Sequence, residues 1–311
     1  MIPFEFMKIV GEDELDELRE AAHNFYLKNT TGRHHWETKD TDKPNETPYH
    51  QKLDEWCGKY LGCTYETVAC ALPDEITVFK AKIDGLGQCN AQTVEYVLDY
   101  LYERMLSAAK SHLMKWMERY GILTCPYCNH NFILYDSRED GQVKLNTAQL
   151  DHYYPKSKYP ILAASFFNLI PSCPNCNLVK SDKPLLFSPY NSELSHNEIM
   201  EFRYWHFKVR TDRDKDAEKT MLELLGKSAG FQEDIKLLRL EALYQKHMDM
   251  AVEIERKLEI LNTGYLDKLA EEFRLNPAEL KELAFGARLA PDKFSERPMS
   301  KFTYDILKSL E

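Results

Sequence analysis

The chain has 311 residues, 40 Lys+Arg against 50 Asp+Glu, a formal net charge of −10, and 43% hydrophobic and 29% charged residues. This globular mixture excludes a disordered, collagen-like or low-complexity chain, and no apolar run approaches the roughly 20 residues of a membrane-spanning helix. The acidic balance also excludes the strong positive field of a constitutive, nonspecific DNA binder, so a nucleic-acid function must rest on a local site or on a partner.

The first residues, Met1-Ile2-Pro3-Phe4-Glu5-Phe6, lack the basic start and apolar core of a signal peptide, and we expect a cytoplasmic protein. Residues 12–28 are predicted as an amphipathic helix, with Leu15, Leu18, Ala22 and Phe25 at helical spacing. Residues 29–48, with Gly32, Pro44 and Pro48, read as loop. Short helices are predicted near 49–60 and 64–71. A long helix follows from about Asn90 to Tyr120, with Val94, Val97, Leu101, Met105, Ala109, Leu113 and Trp116 on its apolar stripe and Gly121 at its end. The texture then changes. Between 122 and 190, strands are predicted over Lys144–His152 and Phe166–Ile170, and a short helix over Pro174–Asp182 with Pro174 in its first turn. From about 217 the chain is expected to be helical. Leu237, Leu240, Tyr244, His247, Ala251, Ile254, Leu258 and Leu261 form a heptad seam that suits either an oligomer contact or packing on the chain's own helices. Asn276-Pro277-Ala278-Glu279 reads as a cap opening a further helix.

Four of the eight cysteines fall into two knuckles, Cys125-Pro126-Tyr127-Cys128 and Cys173-Pro174-Asn175-Cys176, separated by 44 residues. Four thiolates in this form suit a closed tetrahedral zinc site. A closed site has no open position for substrate, so the zinc is structural and pins two segments distant in sequence. Cys57, Cys63, Cys70 and Cys89 lack ligand spacing and read as small buried hydrophobes. The expected fold class is α+β: a mostly helical chain around a small zinc-stapled core, divided into a helical region 1–121, a core 122–190 and a mainly helical region 191–311.

Between the knuckles lies Leu150-Asp151-His152-Tyr153-Tyr154-Pro155-Lys156-Ser157, and Phe167-Asn168-Leu169-Ile170-Pro171-Ser172 runs into the second knuckle, where Asn177 follows Cys176 and Lys180 lies about one turn on. This order and spacing resembles the HNH (ββα-metal) endonucleases in their zinc-stapled form, over about 60 of the 311 residues. The resemblance implies a general base at His152 and a catalytic-metal ligand at Asp151. It implies a central asparagine at Asn168 that fixes the loop and orients the base, and a second metal ligand on the helix at Asn177. Many members carry His at that last position. Asn177 makes this an H-N-N variant, like some zinc-stapled phage recombination endonucleases. By the same resemblance, the chain is expected as a restriction or anti-phage effector beside a partner such as an ATPase subunit.

The residue chemistry stands beside that resemblance. Phosphodiester hydrolysis needs an activated water and a cation for the developing charge. A carboxylate and an amide oxygen are hard ligands suited to Mg²⁺ or Mn²⁺. A histidine near its ordinary pKa accepts a proton at working pH. Neighbours on a strand alternate, so Asp151 and His152 cannot both face one ion without distortion. Six basic residues against five acidic ones give residues 125–190 a net charge of +1, in keeping with phosphate contact. Lys180 is the leading candidate for that contact, followed by Lys183 and Lys156.

Weaker signals remain. His130 reads as structural. His34-His35-Trp36 reads as loop. Residues 203–210 interleave basic and aromatic side chains, which fits either a half-buried strand or a face that stacks single-stranded nucleic acid. Two rival functions stand against a DNA endonuclease: a noncatalytic zinc module that binds nucleic acid or protein, and a toxin-like nuclease acting on RNA.

Overall fold

The computed structural model describes residues 1–4, 16–17, 19–20, 22–24, 49–87, 113–114, 117–137, 143–191, 193–210, 216–261 and 263–310. The described positions of the helix predicted over 12–28 are helical, as are Leu113, Met114 and residues 117–119 at the end of the predicted long helix. The rest of that helix, the loop 29–48 with His34-His35-Trp36, and Cys89 lie outside the described residues. The fold is α+β, mostly helical with small sheets. No helix among the described residues is long and apolar enough to cross a membrane.

The chain divides into two compact units, 5–120 with 133–192, and 1–4 with 121–132 and 193–311. The first carries helices α1 (Tyr49–Tyr60), α2 (Tyr65–Ala69) and α3 (Pro73–Asp84). Pro73 occupies the first helical position of α3, and Glu75 accepts the Leu72 backbone N–H at 2.8 Å, so the proline opens the helix. Next come the antiparallel strands β1 (Tyr135–Ser137) and β2 (Val143–Asn146). A second antiparallel pair joins β3 (Gln149–His152) to β4 (Leu169–Ser172), and helix α4 (Pro174–Lys180) follows β4 directly. The single strand predicted over Lys144–His152 is thus two strands, broken at Thr147-Ala148. Thr147 Oγ1 accepts the Leu134 N–H at 2.7 Å and Asn146 Oδ1 accepts the Ala148 N–H at 3.1 Å, which turns the chain between the two pairings. The second predicted strand begins later, because Phe166–Asn168 forms a 3₁₀ turn before β4. Pro171 sits opposite Leu150, which a two-stranded sheet tolerates because each strand has an open edge. Ile161, Leu162, Phe166, Phe167, Leu169, Ile170, Phe187 and Tyr190 are buried and form the apolar base of the hairpin.

The other unit begins its long C-terminal stretch with α5 (His196–Ile199) and a hairpin of two eleven-residue strands, β5 (Met200–Arg210) and β6 (Asp216–Gly226). Phe202 and Tyr204 turn inward opposite Leu224 and Leu222, while Arg203, Trp205 and Phe207 turn outward. Residues 203–207 therefore lie in a strand that buries Tyr204 and exposes Arg203, Trp205, His206 and Phe207. The expectation of helix from about 217 is corrected: helix resumes only at α6 (Ala229–Leu237). The heptad seam is interrupted too. Arg239 adopts φ 56°, which separates α6 from α7 (Leu240–Tyr244), and a 3₁₀ turn over Gln245–His247 precedes α8 (Met248–Ile260). Leu240, Tyr244, Ala251 and Ile254 of the seam are buried within this unit. Helices α9 (Thr263–Phe273), α10 (Pro277–Phe285) and α11 (Ser300–Leu310) complete it. Asn276 caps α10 as predicted, accepting the Ala278 N–H at 2.9 Å.

The first knuckle is seated in this unit by Asn129, which the sequence did not single out. Asn129 is fully buried and has φ 50°. Its amide donates to Thr124 Oγ1 at 3.0 Å and to the Phe294 carbonyl at 2.8 Å, and its Oδ1 accepts the Lys301 N–H at 3.1 Å. Its backbone carbonyl accepts the Met299 N–H at 2.7 Å. Truncating this side chain leaves several buried polar groups unpaired and places alanine in a left-handed backbone. Asn129→Ala is therefore expected to lower stability by about 2–4 kcal/mol, read by urea unfolding. A loss below about 1 kcal/mol would show that residues 294–301 are held by other contacts.

Candidate active site

The hairpin and the helix after it place the polar residues in two directions. On β3, Gln149 and Asp151 share one face, and helix α4 lies against it. Asn177 donates from Nδ2 to Gln149 Oε1 at 2.7 Å. One turn later, Lys180 donates from Nζ to Asp151 Oδ1 at 3.1 Å and to the His152 carbonyl at 2.8 Å. Asp151 is 2% exposed and Lys180 0% exposed. The helix thus runs alongside the strand with its amide at one end of this face and its ammonium at the other.

His152 points to the opposite face, into the loop between β3 and β4. Its Nε2 lies 3.0 Å from the Ala163 carbonyl. A carbonyl only accepts, so Nε2 carries the proton and the Nδ1 position carries the lone pair. Burial pulls the imidazole down to about 4; the Ala163 carbonyl opposes that fall, and the charges of Lys156 and Lys180 add to it. The shift favours the neutral ring and departs from the ordinary pKa expected for His152 from the sequence, because the side chain is packed away from water.

Asn168 holds the loop that faces His152. It is fully buried. Its Oδ1 accepts the Tyr154 N–H at 2.8 Å, and its Nδ2 donates to the Leu162 carbonyl at 2.9 Å and the Tyr154 carbonyl at 3.2 Å. Its own carbonyl accepts the Tyr153 N–H at 2.9 Å. These bonds tie both ends of the loop to the end of β3, next to the carbonyl that orients His152.

The four knuckle cysteines are buried, and their Sγ atoms all lie within 4.8 Å of one another. Tetrahedral Zn–S bonds of about 2.3 Å place sulfurs about 3.8 Å apart, so this spacing fits a zinc ion. Backbone bonds shape both knuckles: the Asn129 N–H meets the Cys125 carbonyl at 2.7 Å, the His130 N–H meets Cys128 Sγ at 3.4 Å, and the Asn177 N–H meets the Cys173 carbonyl at 3.1 Å. His130 is not a fifth member of the cluster. Its Nε2 pairs with His247 Nε2 at 2.8 Å, in keeping with a structural role.

Two paired strands thus lie between two knuckles whose thiols converge, the second knuckle opens the helix, and residues 125–183 match a model of the HNH endonuclease family. The chain carries an HNH endonuclease domain. No curated protein and no solved structure matches the chain. HNH domains are those of metal-dependent nucleases, so a nucleic acid is the substrate class at family level.

Within the HNH domain, the helix-facing side holds two pairs, Asn177 with Gln149 and Lys180 with Asp151, while His152 and Asn168 lie on the loop side. The donor set suits a hard divalent ion. With Nδ2 of Asn177 engaged by Gln149, its Oδ1 is the end with a hard oxygen donor, and Asp151 offers a carboxylate on the same strand face as Gln149. Lys156 is half-buried near the loop and Lys183 is exposed beyond α4. Lys180 requires a correction: expected as the first phosphate contact, it is turned inward, and its ammonium is engaged by Asp151 and the His152 carbonyl. Gln149 and Ala163 were missed. Gln149 had a legible signal, standing two residues before Asp151 and hence on the same strand face; Ala163 acts through its carbonyl and left none.

Proposed function

We infer that the chain is a metal-dependent HNH endonuclease hydrolysing phosphodiester bonds in DNA, working as an effector gated by a partner. The observation that carries this reading is the pairing of a buried carboxylate, Asp151, with a neutral, carbonyl-oriented His152 at the end of one strand of the HNH hairpin. His152 is the general base: with Nε2–H held by Ala163, its other nitrogen takes the proton of the attacking water. Asp151 and Asn177 would hold Mg²⁺ or Mn²⁺, which when bound would supply stabilisation of charge on the phosphate and the leaving oxygen. Asn168 is a positioning residue, since its side chain is buried and bonded to the loop. Lys156 and Lys183 meet the phosphate backbone. Residues 122–190 are the nuclease core, and the helical regions 1–121 and 191–311 are surfaces for a partner such as an ATPase subunit. Support for gating comes from charge: a net of −10 works against unassisted DNA capture, and the nuclease core is the less acidic part of the chain. A restriction or anti-phage setting follows from the family resemblance.

The test is a matched panel of DNA and RNA substrates with Mg²⁺ or Mn²⁺ and the zinc-loaded chain. We expect divalent-dependent cleavage of DNA at low salt, falling steeply as salt rises. Cleavage confined to RNA would overturn the choice of substrate. Rapid DNA digestion at physiological salt by the chain alone would overturn the gating.

A further inference from the structure

A lysine with no exposed surface is unusual, and the Lys180 ammonium donates twice to the active-site strand. One goes to the side chain of the expected metal ligand, Asp151, and the other to the backbone of the expected base, His152. Both acceptors come from consecutive residues, so the single ammonium fixes the strand end where the two side chains diverge. Asp151 is 2% exposed, and a carboxylate so placed is costly without a charged, hydrogen-bonding partner, which Lys180 supplies at 3.1 Å.

We propose that Lys180 is the resident counter-ion of Asp151: it aims the carboxylate in the zinc-loaded protein, and it sets divalent-metal affinity by sharing that carboxylate with the ion. This rests on the metal-dependent reading of the HNH site and adds a positioning residue to it. The physical consequence is a trade. The ammonium stabilises the protein before the divalent ion arrives, and its charge opposes the arrival of a second cation at the same oxygen. Removing the charge should therefore weaken the protein without the divalent ion and tighten the ion's binding. A lysine serving only as packing or phosphate contact predicts no such tightening.

The experiment compares the wild type with Lys180→Met, each loaded with zinc and freed of other divalent ions. Mn²⁺ affinity is read by electron paramagnetic resonance and melting by differential scanning fluorimetry. Lys180→Met is expected to melt lower by about 6 °C or more without Mn²⁺. It is expected to bind Mn²⁺ about tenfold tighter, and to gain more melting temperature from Mn²⁺ than the wild type does. Weaker or unchanged Mn²⁺ binding by a folded variant overturns the proposal. If Lys180→Met does not fold, the wild type itself supplies the test through NMR of its lysine ammonium groups. Mg²⁺ titration should shift the protected Lys180 signal, and an unmoved signal at saturation overturns the proposal. Asp151→Asn separates the levels. Mn²⁺ binding that ignores Asp151 overturns the metal-site reading and this proposal with it, whereas Asp151-dependent binding indifferent to Lys180 overturns this proposal alone.

Discussion

His152→Ala is expected to lower divalent-dependent cleavage by about 10²–10⁴-fold, the contribution of a positioned general base. That is about 2.7–5.4 kcal/mol of barrier. The same change should leave the zinc content intact. It should shift melting by only a few degrees, because the half-buried ring's hydrogen bond to the Ala163 carbonyl is worth about 1 kcal/mol. Mn²⁺ affinity should also survive, since His152 faces away from the side that carries Asp151 and Asn177. Asn168→Ala provides the contrast. Its buried side chain makes three hydrogen bonds within the loop. Its removal should lower stability and activity together, because the loop that orients the base loosens. If His152→Ala retained wild-type turnover with zinc and fold intact, the base would lie elsewhere, and the noncatalytic zinc module would become the better reading.

The zinc knuckles and the strand-strand-helix order were legible because metal ligation and turn chemistry act through near-neighbour spacing. Cys-x-x-Cys pairs announce themselves, and Pro174 marks the first turn of α4. Long-range pairing left a fainter mark. Residues 216–226, Asp-Ala-Glu-Lys-Thr-Met-Leu-Glu-Leu-Leu-Gly, are rich in helix formers, yet they form β6 because Leu222 and Leu224 bury against Tyr204 and Phe202 across the hairpin. Tertiary pairing there overrides local propensity. The heptad seam failed for a different reason. Its apolar spacing is real, but Arg239 turns left-handed and divides it into short helices packed within one unit. Lys180 shows the limit for site residues. A lysine on a short helix reads as solvated from spacing alone, and only the strand beneath it reveals that its ammonium has acceptors on the inside.

Cys173→Ser is expected to abolish zinc binding and, with it, the ordered second knuckle. Structural zinc contributes an apparent 10–16 kcal/mol in small zinc-dependent peptides, comparable to or larger than the roughly 5–15 kcal/mol that stabilises a whole domain. Cys173 is both a thiolate of the cluster and the residue that caps α4, its carbonyl accepting the Asn177 N–H at 3.1 Å. Loss of the metal therefore reaches Asn177 and Lys180 along a helix of seven residues, too short to persist alone. Hydrogen exchange provides the local readout. Amides in peptides spanning 169–180 should lose protection in the variant, and the wild type stripped of zinc should behave alike. Acid should reproduce the effect, because the thiolate ligands take up protons and release zinc as pH falls. The two metals separate cleanly by rescue. Removing a bound Mg²⁺ or Mn²⁺ should stop cleavage reversibly without moving protection at 169–180, whereas Mg²⁺ should not restore a chain that has lost its zinc. Unchanged exchange in a zinc-free Cys173→Ser protein would mean that the hairpin and helix are held by their apolar base alone, and that the four converging thiols are not what fixes the active-site helix.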